Sequence, residues 1–290
     1  MIMRYTILTN PVSGSLRAAS KRKALATAAR ILEAKVYGLD IKTREEFALC
    51  AKEISSYTDV LVVAGGDGTV SDVINAVDTT QTPIAYLPLG SGNALAYGLG
   101  YPMGIARTAK RIRAGRIHEY DLIHCDAGKK AILASIGIEA TVLKLRARYL
   151  ARGVRGFPAY CGAFLEACFM QRRPLSLELE LDGKRFDVHN AMSLIIAGHP
   201  YFGYGMKLIP GARFDDGTLH LLHINGGLTK AACAVLTSFT LGNRVGRLLH
   251  GRKAVVRLEQ PLVLQIDGNL AWEADRFTFE VLPKALKIKC

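Results

Sequence analysis

The sequence predicts an α/β domain with a parallel sheet, followed by an antiparallel β-sandwich domain. Over residues 1–120, short apolar runs alternate with stretches whose apolar residues recur at helical spacing, the rhythm of a parallel α/β sheet. Over residues 121–282 the clearest runs, LSLELEL and FTFEVL, alternate every second residue, as antiparallel strands do. This change of period places the domain boundary near residues 115–121.

The individual strands and helices are predicted from the same hydrophobic spacing. In the first domain, YTILT, VLVVA and IAYLPL are the predicted strands, and the first of them ends at Asn10-Pro11. Apolar spacing predicts one helix through Leu25–Leu32 and another that opens at Thr69-Val70. In the second domain Asp182-Gly183 is the expected hairpin turn, and two helical stretches interrupt the strands, roughly residues 157–170 and 229–241.

Charge and composition restrict the class of partner. The formal net charge is +13, from 38 Lys and Arg against 25 Asp and Glu, which favours an anionic partner: nucleic acid, nucleotide or an acidic membrane surface. No apolar run approaches the roughly 18 residues of a membrane span, and the N-terminus lacks a signal-peptide pattern, so a cytoplasmic protein is expected. The six cysteines form no C-x-x-C pair and are expected to be buried, reduced thiols.

Three glycine-rich stretches follow the three predicted strands of the first domain: TNPVSGS, GGDGT and PLGSGNALAYGLG. Loops at the carboxyl ends of parallel strands converge on one crevice, so together they predict a phosphate site. Gly65, Gly66 and Gly68 would let a ligand approach the backbone, at the positive end of the following helix. The alternative for GGDGT is a tight turn with Asp67 as a helix cap. Neither a Walker A loop nor a G-x-G-x-x-G fingerprint is present.

Five motifs, in order along nearly the whole chain, resemble the diacylglycerol kinase catalytic-domain family. They are NPVSG, GGDGTVSDVINAV, PLGSGNALA, YFGYGMKLIPGARFDDGTLHL and QIDGNLAWEA. The resemblance implies an NAD kinase- or phosphofructokinase-like nucleotide domain and a β-sandwich lipid domain, with an active site in the cleft between them. It also implies that residues 283–290 return to the first domain.

The resemblance implies ATP and Mg²⁺ as cofactors. A carboxylate at Asp67 is expected among the glycines if the loop handles phosphate through Mg²⁺. The residues that fall where the family holds ATP are Asn10, Pro11, Val12, Ser13, Gly14, Thr43, Gly65, Gly66, Asp67, Gly68, Thr69, Val70, Ser71, Ser91, Gly92 and Asn93.

A second, structural Mg²⁺ is implied beside the FDDGT turn of the sandwich domain. It would be bound by Asp216 and by backbone carbonyls near Arg213 and Thr218. The same sequence is also typical of a β-turn whose aspartates accept backbone hydrogen bonds. Both interpretations stay open from the sequence.

Two departures from the family pattern bear on catalysis. Ala94 stands where many members have an acidic residue, while Asp67 and Asp121 of the family's aspartate network remain. Asn269 stands where the family carries the Glu, sometimes Asp, that takes the proton of the acceptor hydroxyl. A carboxamide cannot accept that proton, which predicts slow catalysis. Asp267 and Glu273 are candidate substitutes, although Asp267 is equally typical of a turn former.

The first hypothesis is therefore an ATP-dependent lipid kinase acting at a membrane surface on a diacylglycerol or sphingoid-base-like lipid. The second is a catalytically weak or silent member that binds nucleotide or lipid, and the third is a kinase of a soluble acceptor. Nucleic acid binding is disfavoured because no recognition motif is present. No motif indicates an oligomeric state.

Two further features concern the membrane. Basic clusters at Lys21–Arg30, Lys110–Arg116 and Lys144–Arg155 would hold the protein peripherally on anionic lipid, or would be solvated helix faces. The apolar stretch GFPAYCGAFLEACF, Gly156–Phe169, would line an acyl-chain pocket or form a core helix, of which we favour the core helix.

Overall fold

The described chain divides into two units at the point where the hydrophobic period changes. The structure is a computed structural model that describes residues 3–11, 18–170, 174–225 and 227–290. One unit consists of Met1–Tyr120 with Lys284–Cys290, and the other of Asp121–Pro283. Val12, Ser13 and Gly14 of the first glycine-rich loop lie outside the described residues.

The first unit alternates strands and helices. Its elements are β1 (Tyr5–Thr9), α1 (Ala18–Leu32), β2 (Lys35–Tyr37), α2 (Arg44–Ser55), β3 (Val60–Gly65), α3 (Asp67–Ala76), β4 (Ile84–Pro88), α4 (Ala94–Gly98) and α5 (Ile105–Ala114). The strands pair in the order β2-β1-β3-β4, and all three pairings are parallel, which confirms the predicted sheet. A final strand segment at Ile288 pairs with Ile84 of β4, also parallel.

The strands of this sheet are buried along their length. Every residue of β3 is buried, as expected of a parallel strand covered on both faces. Helices α1 and α5 pack on the sheet through Leu25, Ala28 and Ile112. The predicted start of α3 was two residues late, because the extended residue Gly66 takes the N-cap position and the helix begins at Asp67.

The second unit is mainly antiparallel. Its elements are β5 (Ile117–Cys125, which begins in the first unit), β6 (Lys129–Ala131), β7 (Leu133–Gly137), α6 (Ile138–Ala151), α7 (Phe157–Met170), β8 (Leu175–Leu181), β9 (Lys184–Ala197), β10 (Leu219–Asn225), α8 (Leu228–Ser238), β11 (Arg247–Gly251), β12 (Lys253–Ile266) and β13 (Asn269–Lys289, which ends in the first unit).

The antiparallel pairings confirm the sandwich-type pattern of the sequence. Strand β9 pairs with β7, β8 and β10, and β12 pairs with β7, β8 and β13. Asp182 and Gly183 have φ of 49° and 81°, the two left-handed residues of a tight hairpin turn. The helical stretches at residues 157–170 and 229–241 are α7 and α8. Helix α6 was not predicted, because its buried residues, such as Val142 and Leu145, are separated by basic ones.

Among the described residues no helix is long and apolar enough to cross a membrane. All six cysteines are free, but only Cys125 is buried and Cys233 is exposed, so the expectation of buried thiols was wrong for most of them.

Candidate functional site

The GGDGT loop is shaped by its glycines. A Cβ at Gly65 would lie 2.4 Å from Thr69 Oγ1, so only glycine fits there. The side chains of Thr69, Val70 and Ser71 are buried. The amides of Thr69 and Val70 already donate to the Gly66 carbonyl, at 2.9 Å and 3.2 Å. The N–H groups that precede these first bonds of α3 belong to Asp67 and Gly68, and they are the ones that could face a ligand.

Asp67 joins this loop to the third glycine-rich stretch. Its Oδ2 accepts the amide of Ala94 at 3.0 Å and its Oδ1 accepts the amide of Leu95 at 3.1 Å. The carboxylate therefore caps α4, a different helix from the one that Asp67 begins. Burial raises the pKa of Asp67, while the hydrogen bonds from Leu95 and Ala94 act in the opposite direction. A carboxylate among the glycines thus has a structural role, and its role as a metal ligand stays a prediction.

The second and third loops touch through their backbones. A Cβ added at Gly90 would lie 2.5 Å from the Cα of Gly66. Asn93 adopts a left-handed φ of 48°, and its Nδ2 donates to the Gly90 carbonyl at 2.9 Å. Its Oδ1 accepts the hydroxyl of Tyr86, also at 2.9 Å. Ser91 and Gly92 lie between these contacts. The paired glycines form a cradle that side chains would fill, which fits a nucleotide phosphate.

The first loop is supported by a lysine of the basic cluster Lys21–Arg30. Lys21 of α1 is buried, and its ammonium donates to the carbonyl of Asn10, next to Pro11. Burial lowers the pKa of Lys21. Neither interpretation of this basic cluster, membrane binding or a solvated helix face, applies to Lys21, because its side chain faces inward. No feature of KRKALATAAR distinguished this lysine from its exposed neighbours.

Thr43 has a capping role. It is the N-cap of α2, and its Oγ1 accepts the amide of Glu46 at 3.1 Å. Arg44 then forms an ion pair of 2.5 Å with Asp72 of α3. The pair anchors the start of α2 beside α3. The spacing T-x-x-E is the sequence signal of such a cap and could have been found in advance.

In the second unit, Asp121 is tied to the FDDGT turn. It is buried, its Oδ2 accepts the amide of Gly217 at 2.6 Å, and its own amide donates to the Phe214 carbonyl at 2.6 Å. Two predicted site residues, Asp121 and Asp216, therefore belong to one locality of this unit. The sequence separates them by nearly a hundred residues, so this proximity had no local signal.

The turn closes through side chains of the protein itself. Asp216 Oδ1 accepts the amide of Thr218 at 3.1 Å, and Oδ2 lies 2.9 Å from His220 Nε2. The other ring nitrogen of His220 is 3.0 Å from Nδ1 of His250, and Arg213 pairs with Asp215. Among the described residues no group of three His, Cys, Asp or Glu could hold a metal. Each Asp216 oxygen has a partner within the protein, as the β-turn interpretation expects. The structural Mg²⁺ at Asp216 and the carbonyls near Arg213 and Thr218 stays a prediction.

Asp267 occupies the turn between β12 and β13. Its φ is 47° and that of Gly268 is 82°, and Ile266 pairs with Asn269 across the turn. Asp267 is buried, and its Oδ1 accepts the amides of Ile132 at 3.1 Å and Leu133 at 2.8 Å. Asp267 therefore lies in the turn itself and Asn269 begins the strand after it, so Asp267 acts as the turn former that was one of its two expected roles.

A buried carboxylate that the sequence did not single out lies at the start of α6. Glu139 Oε1 accepts the hydroxyl of Ser193 at 2.5 Å, whereas Oε2 has no hydrogen-bond partner among the described residues. Burial raises the pKa of Glu139 to about 7 from an ordinary 4.5, partly offset by the Ser193 bond. The group titrates near neutral pH inside this unit.

Comparison with known proteins places the chain in a family. The diacylglycerol kinase catalytic domain matches residues 4–125, and the YegS C-terminal NAD kinase beta sandwich-like domain matches residues 133–290. A diacylglycerol kinase of Mycobacterium tuberculosis is 28% identical over 232 residues, 76% of this chain and 72% of that protein. An uncharacterised protein of Synechocystis is 26% identical over 239 residues, 79% of this chain, which spans about half, 54%, of that relative.

The fold agrees with this assignment. A crystal structure of a diacylglycerol kinase from Bacillus anthracis matches with a TM-score of 0.72 and 16% sequence identity, covering 99% of this chain and 96% of that one. At 16% sequence identity, this structural match establishes the fold alone. Because the sandwich match covers more than half of the chain and the catalytic-domain match covers most of the remainder, the chain belongs to the diacylglycerol kinase-type family of lipid kinases.

Proposed function

We propose that the protein transfers the γ-phosphoryl group of magnesium ATP to a hydroxyl of a membrane lipid, a diacylglycerol or a sphingoid-base-like alcohol. The observation that carries the proposal is the contact between the two glycine-rich loops at Gly66 and Gly90. Backbone groups at the start of α3 and the absence of side chains at these glycines suit a phosphate chain. Mg²⁺ would arrive with the nucleotide, as part of the substrate, and would supply positive charge against the phosphates.

The reaction needs positioning and one proton acceptor. The lipid oxygen bonds to the γ-phosphorus as the bond to the bridging oxygen of ADP breaks, and the hydroxyl proton passes to a base. Asp67 would act by holding the second and third loops together through the Ala94 and Leu95 amides. Positioning and charge stabilisation account for most of such catalysis, so a lipid kinase without a strong base is still active, but slow.

A transfer assay tests this proposal. Purified protein is incubated with labelled ATP, Mg²⁺ and vesicles that carry diacylglycerol, monoacylglycerol or sphingosine, and we expect labelled lipid from at least one of them. Asp67→Ala should lose transfer because the loops are no longer joined. Asp40→Ala, which removes an exposed carboxylate before α2, is the matched control and should keep it. Transfer to no lipid alcohol, with ATP binding intact, would overturn the proposal.

One observation favours a weak or silent member of the family as the second candidate. Asn269 offers no base, and the Asp267 carboxylate is already engaged by the amides of Ile132 and Leu133. A silent member would bind ATP, measured by calorimetry, yet give no labelled lipid, whereas a weak member would give labelled lipid slowly. Turnover by the wild type that Asp67→Ala abolishes would eliminate the silent member.

A further inference from the structure

Helix α7 packs with its small residues inward and its large apolar residues outward. Ala163 and Ala167 have no exposed surface, whereas Leu165 is 53% exposed and Phe169 is 72% exposed. Gly162 lies against the ring of Tyr149 on α6, where a Cβ would come within 2.9 Å. The preference for a core helix was therefore correct for the alanine side only. An ordinary surface helix has the reverse arrangement, with its large apolar side chains facing the core.

The outward apolar side chains continue onto the neighbouring helices. An open groove between α6 and α7 is lined by Tyr149, Gly162, Leu165, Glu166, Phe169 and Met170. Phe157, at the start of α7, packs edge-on against Phe239, just beyond α8, with ring centroids 5.6 Å apart. The apolar face, as we define it, consists of Leu150, Val154, Phe157, Leu165, Phe169, Met170, Leu236, Phe239 and Leu241, all of them exposed.

A face of this extent needs a partner. Single exposed apolar residues are normal on protein surfaces, but a contiguous set of large ones marks an interaction surface. The groove brings Leu165, Phe169 and Met170 of α7 beside Tyr149 of α6, and the aromatic contact joins the start of α7 to the end of α8.

The surroundings of the apolar face are strongly basic. Residues 144–170 contain five basic residues and one acidic residue, Glu166, whose carboxylate lies 3.6 Å from Arg148. Arg152 and Arg155 are exposed in the connection between α6 and α7. In α8, Lys230 adds a further exposed positive charge. A partner of this surface therefore combines an apolar interior with a negatively charged boundary.

We propose that the apolar face is the surface through which the protein docks on an anionic phospholipid bilayer. Its large side chains would enter the boundary between headgroups and acyl chains, and the arginines between α6 and α7 would contact the headgroup phosphates. The proposal rests on the lipid kinase function only in that the acceptor lipid of that function resides in a bilayer; the docking itself requires no nucleotide and no phosphoryl transfer.

The charge distribution argues against a second copy of the chain as the occupant. A two-fold interface would bring the same surface of each copy together, so it would place the basic residues of both copies, Arg152 and Arg155 among them, in one interface. Like charges placed opposite one another disfavour association. An anionic bilayer is complementary to both features of the surface, because its acyl chains suit the apolar side chains and its headgroup phosphates suit the positive charge.

Vesicle sedimentation of the full chain, without ATP, tests the proposal. The probes are vesicles of phosphatidylcholine alone and of equal parts phosphatidylcholine and phosphatidylglycerol. We expect the wild type to bind the anionic vesicles, with an affinity that falls as salt rises. The double variant Leu165→Gln, Phe169→Gln should bind them with an affinity reduced by about tenfold or more. The matched control is Leu49→Gln, on α2 of the other unit, where Leu49 is 69% exposed; it should bind like the wild type.

The charge component has its own variant. Arg152→Gln with Arg155→Gln should weaken binding to the phosphatidylglycerol vesicles by roughly tenfold, since each basic residue near an anionic surface contributes separately. Circular dichroism checks that both variants remain folded, which the exposure of the altered side chains predicts. Equal vesicle binding by wild type and the Leu165 and Phe169 variant would overturn the proposal. So would a dimer in sedimentation equilibrium that this variant dissociates, because a second copy would then be the occupant.

A soluble substrate separates this inference from the proposed function. A short-chain diacylglycerol dissolved as monomers reports transfer without docking, so the Leu165 and Phe169 variant should phosphorylate it as the wild type does. If the wild type phosphorylates no lipid but its vesicle binding depends on Leu165 and Phe169, the kinase proposal fails and the docking surface stands. If the wild type phosphorylates lipid but its vesicle binding does not depend on Leu165 and Phe169, the kinase proposal stands and the docking surface fails.

Discussion

The carboxylate of Asp267 accepts the backbone amide of Leu133 at 2.8 Å, which fastens the turn between β12 and β13 to the start of β7. The same oxygen also accepts the amide of Ile132 at 3.1 Å. Hydrogen bonds to a charged acceptor are stronger than neutral ones, and buried amides that lose their acceptor destabilise the fold. Asp267 therefore has a structural role that does not depend on catalysis.

Replacement of Asp267 by alanine should reduce the free energy of unfolding by about 2–4 kcal/mol, because two buried amides lose their acceptor and alanine is strained at positive φ. Asp267→Asn keeps one acceptor oxygen and tolerates the left-handed conformation, so its loss should stay below about 1.5 kcal/mol. Urea denaturation measures both, with Asp275→Ala, an exposed carboxylate on β13, as the control. Equal losses in the two variants would argue against the hydrogen-bonding role.

A base can be restored at Asn269. If the acceptor hydroxyl lies beside this residue, Asn269→Glu should raise the turnover number by up to about 10²-fold and leave ATP affinity unchanged, since a general base contributes about 10²–10⁴-fold. Rates are measured at saturating ATP and lipid, because a change in the Michaelis constant alone reports binding. Asn269→Gln is the control that adds length without a base. An unchanged turnover number would place the proton acceptor elsewhere, with Asp67 the next residue to test.

The contact of the two glycine-rich loops is testable at Gly90. A Cβ there would lie 2.5 Å from Gly66 Cα and 2.7 Å from Asn93 Oδ1, so Gly90→Ala must move the loops apart. We expect ATP affinity, measured by calorimetry, to fall by about tenfold or more, as overpacking of this size typically costs about 1–3 kcal/mol. Gly211→Ala, whose Cβ would meet nothing within 4 Å, is the matched control. ATP binding that is indifferent to Gly90→Ala would separate the loops from the nucleotide site.

Glu139 should make stability depend on pH. Its pKa in the folded chain is raised from 4.5 to about 7, so between these values the unfolded chain is ionised while the folded chain holds the proton. The free energy of unfolding therefore falls as pH rises from about 4.5 to 7 and changes little above that range. The glutamine of Glu139→Gln can still accept the hydrogen bond from the Ser193 hydroxyl, but it cannot ionise. At pH 8 it should be more stable than the wild type, by up to about 3 kcal/mol, and equal to it near pH 4.

Thermal unfolding across this pH range measures the difference between the two proteins. Glu53→Gln, which removes an exposed carboxylate of α2, controls for the change in net charge. A constant difference between wild type and Glu139→Gln from pH 4 to pH 8 would show that folding does not shift the pKa of Glu139.

The fold could be predicted from sequence where the signal is local. Alternation in LSLELEL, the Asp182-Gly183 turn and the glycine-rich loops each report backbone geometry that neighbouring residues determine. The partners of Asp67 could not be predicted this way. They are backbone amides of residues 94 and 95, and a backbone amide carries no sequence signal of its own.

The sequence also could not predict which side chains of a helix point toward the core. Helix α7 is apolar on nearly every side, so its period does not tell which face is buried, and the answer depends on the close approach of Gly162 to Tyr149. Lys21 is a similar case, because one lysine of a basic helix turns inward to the Asn10 carbonyl. In both, the deciding contact is with a residue outside the local pattern.

The pairing of Ile288 with Ile84 has a consequence for how the first unit folds during synthesis. The segment Lys284–Cys290 belongs to the first unit: the Thr79 hydroxyl donates to the Ala285 carbonyl at 2.6 Å, and Cys290 and Arg116 exchange backbone hydrogen bonds. During synthesis, residues 1–120 leave the ribosome long before this segment exists. Until this segment emerges, the edge of β4 lacks its Ile288 partner, and an unpaired strand edge is a template for wrong pairing.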